Sequence, residues 1–221
     1  MKTLLVFITL IFVSCAQPRS QPKLVNLEEK IVVPYPNLGL HPEQALVRAP
    51  ATFKAKFITS FGDFTMSFQR EDAPKGIDRF YSLVKANYFE DILVFRALQG
   101  FMFQFGIHGD TAVNEKWKDL KIDDDPLANL SNQKGTIGFA SAGPNTRSNQ
   151  FFINLADNSR LDAEFTPLGK IIEGDAVLDR VNTQYGENSR GFRKKFEECG
   201  NRCALEEYPN LDRIIKVFIV D

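Results

Sequence analysis

An antiparallel β-barrel carrying few helices is the fold class that this sequence predicts, and three observations predict it. Short runs in which apolar and polar residues alternate recur from residue 53 to residue 220, the period of half-buried strands. Phenylalanine is over-used, at 20 Phe against 1 Trp and 5 Tyr, many of them in pairs or alternating runs that suit a sheet-lined core. Helical spacing of apolar residues is readable at only two places, which fits a barrel better than a layered α/β fold.

The N-terminus reads as a targeting segment. Lys2 precedes an apolar run over residues 4–13, and Ser14, Cys15 and Ala16 follow it. That run is too short to span a bilayer but suits the apolar region of a signal peptide, here residues 1–16. Two processing routes stay open: small residues at Ser14 and Ala16 allow cleavage before Gln17, whereas FVSC at 12–15 resembles a lipobox in which Cys15 is lipidated. Either route makes the protein exported, as a periplasmic, secreted or membrane-anchored product, with membrane contact only through Cys15.

Residues 17–50 hold six prolines, which break regular structure and make a tether or surface-hugging arm. Residues 51–221 then form one domain, the size expected once a leader and an arm are removed from 221 residues. Within it FKAKFIT at 53–59 and FTMSF at 64–68 alternate around a turn at Phe61, Gly62 and Asp63, a hairpin with one buried face. Pro74 opens a helix with Ile77, Phe80, Tyr81 and Val84 on one side, since proline is tolerated in a first turn. Strand-like runs follow at 93–98, 101–105, 135–140, 150–154 and 168–172, with a closing strand at 214–220. A second helix is expected between Gly174 and Thr183 from Ala176, Val177, Leu178 and Val181. The charged, glycine-containing stretch 185–209 is an insertion whose role the residues do not reveal. In it Cys199 and Cys203 are candidates for a local disulfide that would constrain only a turn, two buried free thiols being the alternative.

Composition excludes some functions. A net charge of −1 with 25% charged residues offers no basic footprint for nucleic acid. The chain's two histidines, His41 and His108, stand near no Ser or Cys nucleophile, so a catalytic triad is not expected, and no phosphate-cradling glycine loop occurs. His108 with Asp110 makes a turn more readily than a metal site. No cofactor is expected.

Two stretches carry the chemistry: FRALQGFMFQ at 95–104, and ASAGPNTRSNQFFI at 140–153. They resemble the signatures of the cyclophilins, and AGPNT followed four residues later by QFFI is the more specific. The resemblance runs from about residue 53 to 172 and on through the terminal strand, with a divergent, largely bacterial-style C-terminal part. It implies a closed eight-stranded barrel capped by two helices, a proline-binding groove on the outer face, and peptidyl-prolyl cis-trans isomerisation in a monomer acting on proline-containing polypeptides. Arg96 matches the family's catalytic arginine, Gln104 the glutamine that orients it, and Phe101 completes that catalytic set. Met102, Gln150, Phe152, Leu161 and Phe165 match the substrate-binding groove, and the backbone at Ala140 and Ser141 matches the stretch that binds the substrate chain.

Period-two alternation supports that placement, putting Met102 and Gln104 on one strand face with Phe101 and Phe103 opposite, and Gln150 with Phe152 against Phe151 and Ile153. The pattern departs in NSRLDAEFTPLG at 158–169: Arg160 stands where many members have tryptophan and Phe165 where they have histidine. Tryptophan there is associated with tight cyclosporin binding, so the match implies weak cyclosporin sensitivity. Gln99 replaces a common proline, and FGIHGD at 105–110 lengthens a loop by two residues relative to the family's Gly-Gly-Asp turn. The alternative to an enzyme is a non-catalytic module that holds proline-containing segments in the same groove; a small-ligand barrel ranks last.

Overall fold

The computed structural model describes residues 38–126, 130–187 and 189–221. The leader at 1–16, Cys15 and the arm up to residue 37 lie outside the described residues. Strand β1 (Thr52–Thr59) buries Phe53, Ala55, Phe57 and Thr59, its alternate residues, and pairs antiparallel with β2 (Phe64–Gln69). Gly62 turns the chain between them at φ 127°, where a Cβ would come within 2.8 Å of Val177 Cγ1. Further strands are β3 (Ile92–Leu93), β4 (Arg96–Leu98), β5 (Met102–Phe105), β6 (Thr136–Phe139), β7 (Phe151–Asn154), β8 (Pro167–Glu173) and β9 (Arg213–Val220).

All ladders are antiparallel and run in the order β3-β9-β1-β2-β8-β6-β7-β5-β4. The sheet is therefore nine-stranded rather than eight-stranded, because the run expected at 93–98 is split. Its two halves, β3 and β4, stand at opposite ends of the strand order, so the sheet curls round and closes through the chain at Val94 and Phe95 instead of through a ladder. The split has a packing cause. Ile92 and Val94 point into the barrel core, while Leu93 and Phe95 point outward into a second apolar cluster with Ile107, Phe192, Phe196, Ala204 and Tyr208. Both faces of this segment are thus covered, and Val94 N–H bonds Asp212 O at 2.7 Å.

The main core is a stack of rings. Phe57, Phe64, Phe68, Phe80, Phe89, Phe103, Phe105, Phe139 and Phe151 are each at most 2% exposed, and each such ring contributes about 1.5–3 kcal/mol on burial. Helix α2 (Pro74–Lys85), preceded by the short α1 (Pro42–Ala45), lays Ile77, Phe80, Leu83 and Val84 over one end of the barrel. Part of the expected arm packs rather than dangles: Ala45 and Ala49 are buried, Val47 N–H bonds Ser82 Oγ at 3.0 Å, and Ala49 N–H bonds Asp78 Oδ1 at 2.9 Å.

The helices differ from the expected pair. The segment Asp175–Arg180 is a 3-10 helix, not an α-helix, and starts from Gly174 at φ 83°. Among the described residues four α-helices were not expected: α1 in the arm, α3 (Thr111–Trp117), capped by Asp110, and α4 (Ser189–Cys199) with α5 (Asn201–Glu207) in the insertion. A disulfide joins Cys199 to Cys203 across the α4–α5 turn. Phe95 stacks on Phe192, with ring centroids 5.2 Å apart, and Phe192 on Phe196 at 5.7 Å. These buried rings fasten the insertion to the barrel wall beside β4. Among the described residues no helix is long and apolar enough to cross a membrane.

Candidate active site

Arg96 and Gln104 are register partners across β4 and β5, and Gln104 is in turn the partner of Phe152 on β7. Register partners point to the same face of a sheet, so three adjacent strands present an arginine, an amide and a ring side by side. They line a groove of about 160 Å³ together with Phe101, Met102, Ala140, Ser141, Leu161 and Phe165. Nine of the ten residues expected at the catalytic and substrate positions thus meet in one groove.

The tenth, Gln150, is not one of those lining residues but is hydrogen-bonded to one of them. Its Oε1 accepts from Gln104 Nε2 at 3.0 Å, and Gln104 Oε1 accepts from Arg96 Nη1 at 3.3 Å. Gln104 is only 8% exposed, so its amide is held between two partners instead of tumbling in solvent. Phe101 lies in the groove as the motif match implies, but not on the face that alternation gave it. It precedes β5 in a turn whose N–H bonds Leu98 O at 3.0 Å, and so its ring faces the groove while Phe103 and Phe105 fill the core.

The apolar wall is fixed by a buried polar network. Asn158 donates to Phe101 O at 2.7 Å and to Asn154 Oδ1 at 2.7 Å, and Asn154 donates to Asn132 Oδ1 and Thr136 Oγ1 at 3.2 and 3.0 Å. Asn132 donates in turn to Phe165 O and to Asp162 Oδ1 at 2.8 and 2.9 Å. Burial alone would push the Asp162 carboxyl up, but Ser131 Oγ and the backbone and amide donors of Asn132 hold it below the ordinary carboxylate value. Phe101, Leu161 and Phe165 are therefore hung on a scaffold whose donors and acceptors are largely matched. Phe152 and Phe165 meet edge to face at 5.7 Å. Arg160 lies outside this wall, with its guanidinium 5.0 Å over the Phe101 ring, a cation–π contact at the rim.

On the opposite side, Ala140 N–H bonds Gln150 O at 3.0 Å, and the loop after it is tied down. Asn145, at φ 56°, exchanges two 2.8 Å bonds with Asp124, and Arg147 reaches Asp125 at 3.0 Å. No group of three or more His, Cys, Asp or Glu among the described residues is placed to hold a metal. His108 Nδ1 instead accepts the Asp110 N–H at 3.0 Å in the turn before α3.

One neighbour of Arg96 was not anticipated. Glu187, from the insertion, accepts from Arg96 Nη2 at 2.7 Å. Nothing in the spacing of residues 185–209 marks this contact, because it depends on how the insertion folds back.

Comparisons with known proteins agree with this geometry. Residues 54–199 match the family model described as cyclophilin type peptidyl-prolyl cis-trans isomerase/CLD. Peptidyl-prolyl cis-trans isomerase ppi1 of Schizosaccharomyces pombe is 34% identical over 129 residues, covering 56% of this chain and 81% of that protein. Human peptidyl-prolyl cis-trans isomerase-like 3 is 33% identical over 126 residues, covering 56% of this chain and 78% of that protein. Among solved structures, a Cryptosporidium parvum cyclophilin type peptidyl-prolyl cis-trans isomerase is 22% identical with TM-score 0.60, covering 77% of this chain and 98% of that one; its likeness concerns the fold. With a family match over most of residues 51–221 and the barrel and groove in place, the chain belongs to the cyclophilin-type peptidyl-prolyl cis-trans isomerase family.

Proposed function

We propose that the protein accelerates cis-trans isomerisation of X-Pro bonds in exported polypeptides, using Arg96 and Gln104 at the groove. The observation that carries this reading is the placement of one guanidinium, braced by a buried amide, at the edge of an apolar pocket of proline-ring size. The uncatalysed barrier is roughly 18–20 kcal/mol because rotation breaks amide resonance. As the bond twists, the proline nitrogen regains a lone pair, which a fixed cationic donor stabilises only in the twisted state. The bonds to Gln104 and Glu187 use one N–H on each terminal nitrogen, leaving further N–H groups for the substrate. A charge-assisted hydrogen bond of about 1.5–3 kcal/mol felt only in that state corresponds to about 10- to 150-fold in rate. Phe101, Met102, Phe152, Leu161 and Phe165 hold the ring, and the backbone at Ala140 and Ser141 holds the chain beside it. A second Cryptosporidium parvum cyclophilin structure, 22% identical with TM-score 0.58, was solved in the presence of the dipeptide Ala-Pro, which supports a proline peptide as ligand class.

The test is exchange spectroscopy on an Ala-Pro peptide with wild type and Arg96→Ala. Accelerated exchange that largely disappears in the variant is expected. Binding without acceleration would identify the groove as a holding site only.

The exported setting rests on the leader at 1–16 and is supported by the Cys199–Cys203 disulfide, a bond that persists in oxidising compartments. The catalytic domain is residues 51–221, working as a monomer. Mass spectrometry of the mature N-terminus decides between cleavage before Gln17 and lipidation at Cys15, and an intact leader on the purified native protein would refute both.

A further inference from the structure

The groove residues belong to a longer chain of hydrogen bonds whose two ends are both supplied by the insertion. It runs Glu187 Oε2 to Arg96 Nη2 at 2.7 Å, Arg96 Nη1 to Gln104 Oε1 at 3.3 Å, Gln104 Nε2 to Gln150 Oε1 at 3.0 Å, and Arg193 Nη2 to the same Gln150 Oε1 at 3.4 Å. We infer that Glu187 and Arg193 are positioning residues that set the orientation of Arg96, so that the insertion is a working part of the active site.

Chemistry gives the chain a direction. A guanidinium only donates, so Arg193 draws the oxygen of the Gln150 amide toward itself. That oxygen then receives the NH2 end of Gln104, which turns the Gln104 oxygen toward Arg96. At the other end Glu187 only accepts, and takes a second nitrogen of the same guanidinium. A planar fork held at both terminal nitrogens has lost its freedom to rotate about its last bonds, and a donor already oriented needs no reorganisation when the substrate twists. The anchor for both ends is apolar: Phe192, one residue before Arg193, is 1% exposed and stacked on Phe95, one residue before Arg96. The two ring residues bring the two arginine-bearing segments together.

This inference rests on the isomerase reading, and the experiment separates the two. Wild type, Glu187→Ala, Glu187→Gln and Arg193→Met are compared for kcat and KM on an Ala-Pro peptide, with the order of the Arg96 Nε–H group read by NMR. Glu206→Ala on α5 serves as the control. Because Glu187 is half-exposed, the loss in Glu187→Ala is expected at about three- to fivefold in kcat, with KM nearly unchanged and Arg96 less ordered. Glu187→Gln should recover part of it, since an amide oxygen still accepts, and Arg193→Met should lose less than Glu187→Ala. Unchanged kcat in Glu187→Ala overturns the inference, and so does a faster variant, which would make the ion pair an obstruction. If wild type itself fails to accelerate exchange, the isomerase reading falls, and the order of Arg96 alone then decides: unchanged order in Glu187→Ala overturns the positioning role, and lowered order upholds it.

Discussion

Gly138 lies directly opposite Phe152 in the β6–β7 ladder, and a Cβ at Gly138 would come 3.0 Å from Phe152 Cζ and 3.1 Å from Cε1. The missing side chain is what lets the Phe152 ring sit flat enough to form the groove floor. Gly138→Ala is backbone-compatible, since this glycine is not among those with positive φ, so its effect falls on the ring. Displacing the ring by a few tenths of an ångström toward the groove should raise KM severalfold and leave kcat largely intact, with stability lowered by about 1–3 kcal/mol from overpacking. Steady-state kinetics with a companion denaturation curve checks the split; unchanged KM would show that the ring yields in another direction.

Legibility followed the range of the physical signal. The hairpin β1–β2 and helix α2 were readable because period-two and helical spacing are local properties of residues 53–84, and the groove was readable because its residues fall in two long motifs. For Phe101 the motif match and the alternation disagreed: the match put it in the groove, where it lies, whereas alternation put it opposite Met102 and Gln104, because a count from β5 does not hold across the turn from Leu98 that precedes the strand. The split between β3 and β4 was hidden because Leu93 and Phe95 read as ordinary strand residues until Phe192 and Phe196 arrive from about a hundred residues away to cover them. Glu187 and Arg193 left no local trace, because their partners, Arg96 and Gln150, are chosen by tertiary packing.

Asp125 is the keystone of the loop behind Ser141. It is 7% exposed, accepts from Lys75 N–H and Gly76 N–H at 2.8 Å each, and pairs with Arg147 at 3.0 Å, itself 5% exposed. Asp125→Ala takes one carboxylate from the buried Arg147 guanidinium, which keeps Asp124 Oδ1 at 3.2 Å and the Asp123 carbonyl, and leaves two helix N-terminal donors without their acceptor, so it should destabilise the fold by about 1–3 kcal/mol. Adding Arg147→Met removes the charge that Asp125 partnered, so the double variant should lose less than the sum of the singles. Urea unfolding of the four proteins measures the coupling, and strict additivity would count against it.

His108 makes stability fall in mild acid. Burial lowers its pKa below the usual value of about 6.5, with Asp110 opposing only in part, and the Nδ1 that accepts the Asp110 N–H has to be unprotonated to do so. Folding therefore favours the neutral ring while the unfolded chain protonates more readily. The contribution is complete above about pH 6.5 and is lost as pH drops through the lower folded value. The thermal midpoint of wild type should decline between about pH 7 and pH 5 more steeply than that of His108→Gln; parallel curves would assign the decline to other groups.

Asn158 ties the ring wall to the sheet behind it. It is 1% exposed, and its amide bonds both Phe101 O and Asn154 Oδ1 at 2.7 Å. Asn158→Ala leaves Asn154 Oδ1 buried without a donor, a loss of about 1–3 kcal/mol, while Phe101 O keeps the Leu155 N–H at 2.9 Å. The larger consequence is geometric: Phe101 loses its side-chain tie to the segment that leads into Leu161, so one wall of the pocket is held more loosely while Arg96 and Gln104, held on β4 and β5, stay in place. The expected signature is a raised KM for proline peptides with a smaller change in kcat, the reverse of the pattern expected for Glu187→Ala. A fall in kcat at constant KM would mean that the wall and the arginine are mechanically coupled, and that ring placement governs the twisting step itself.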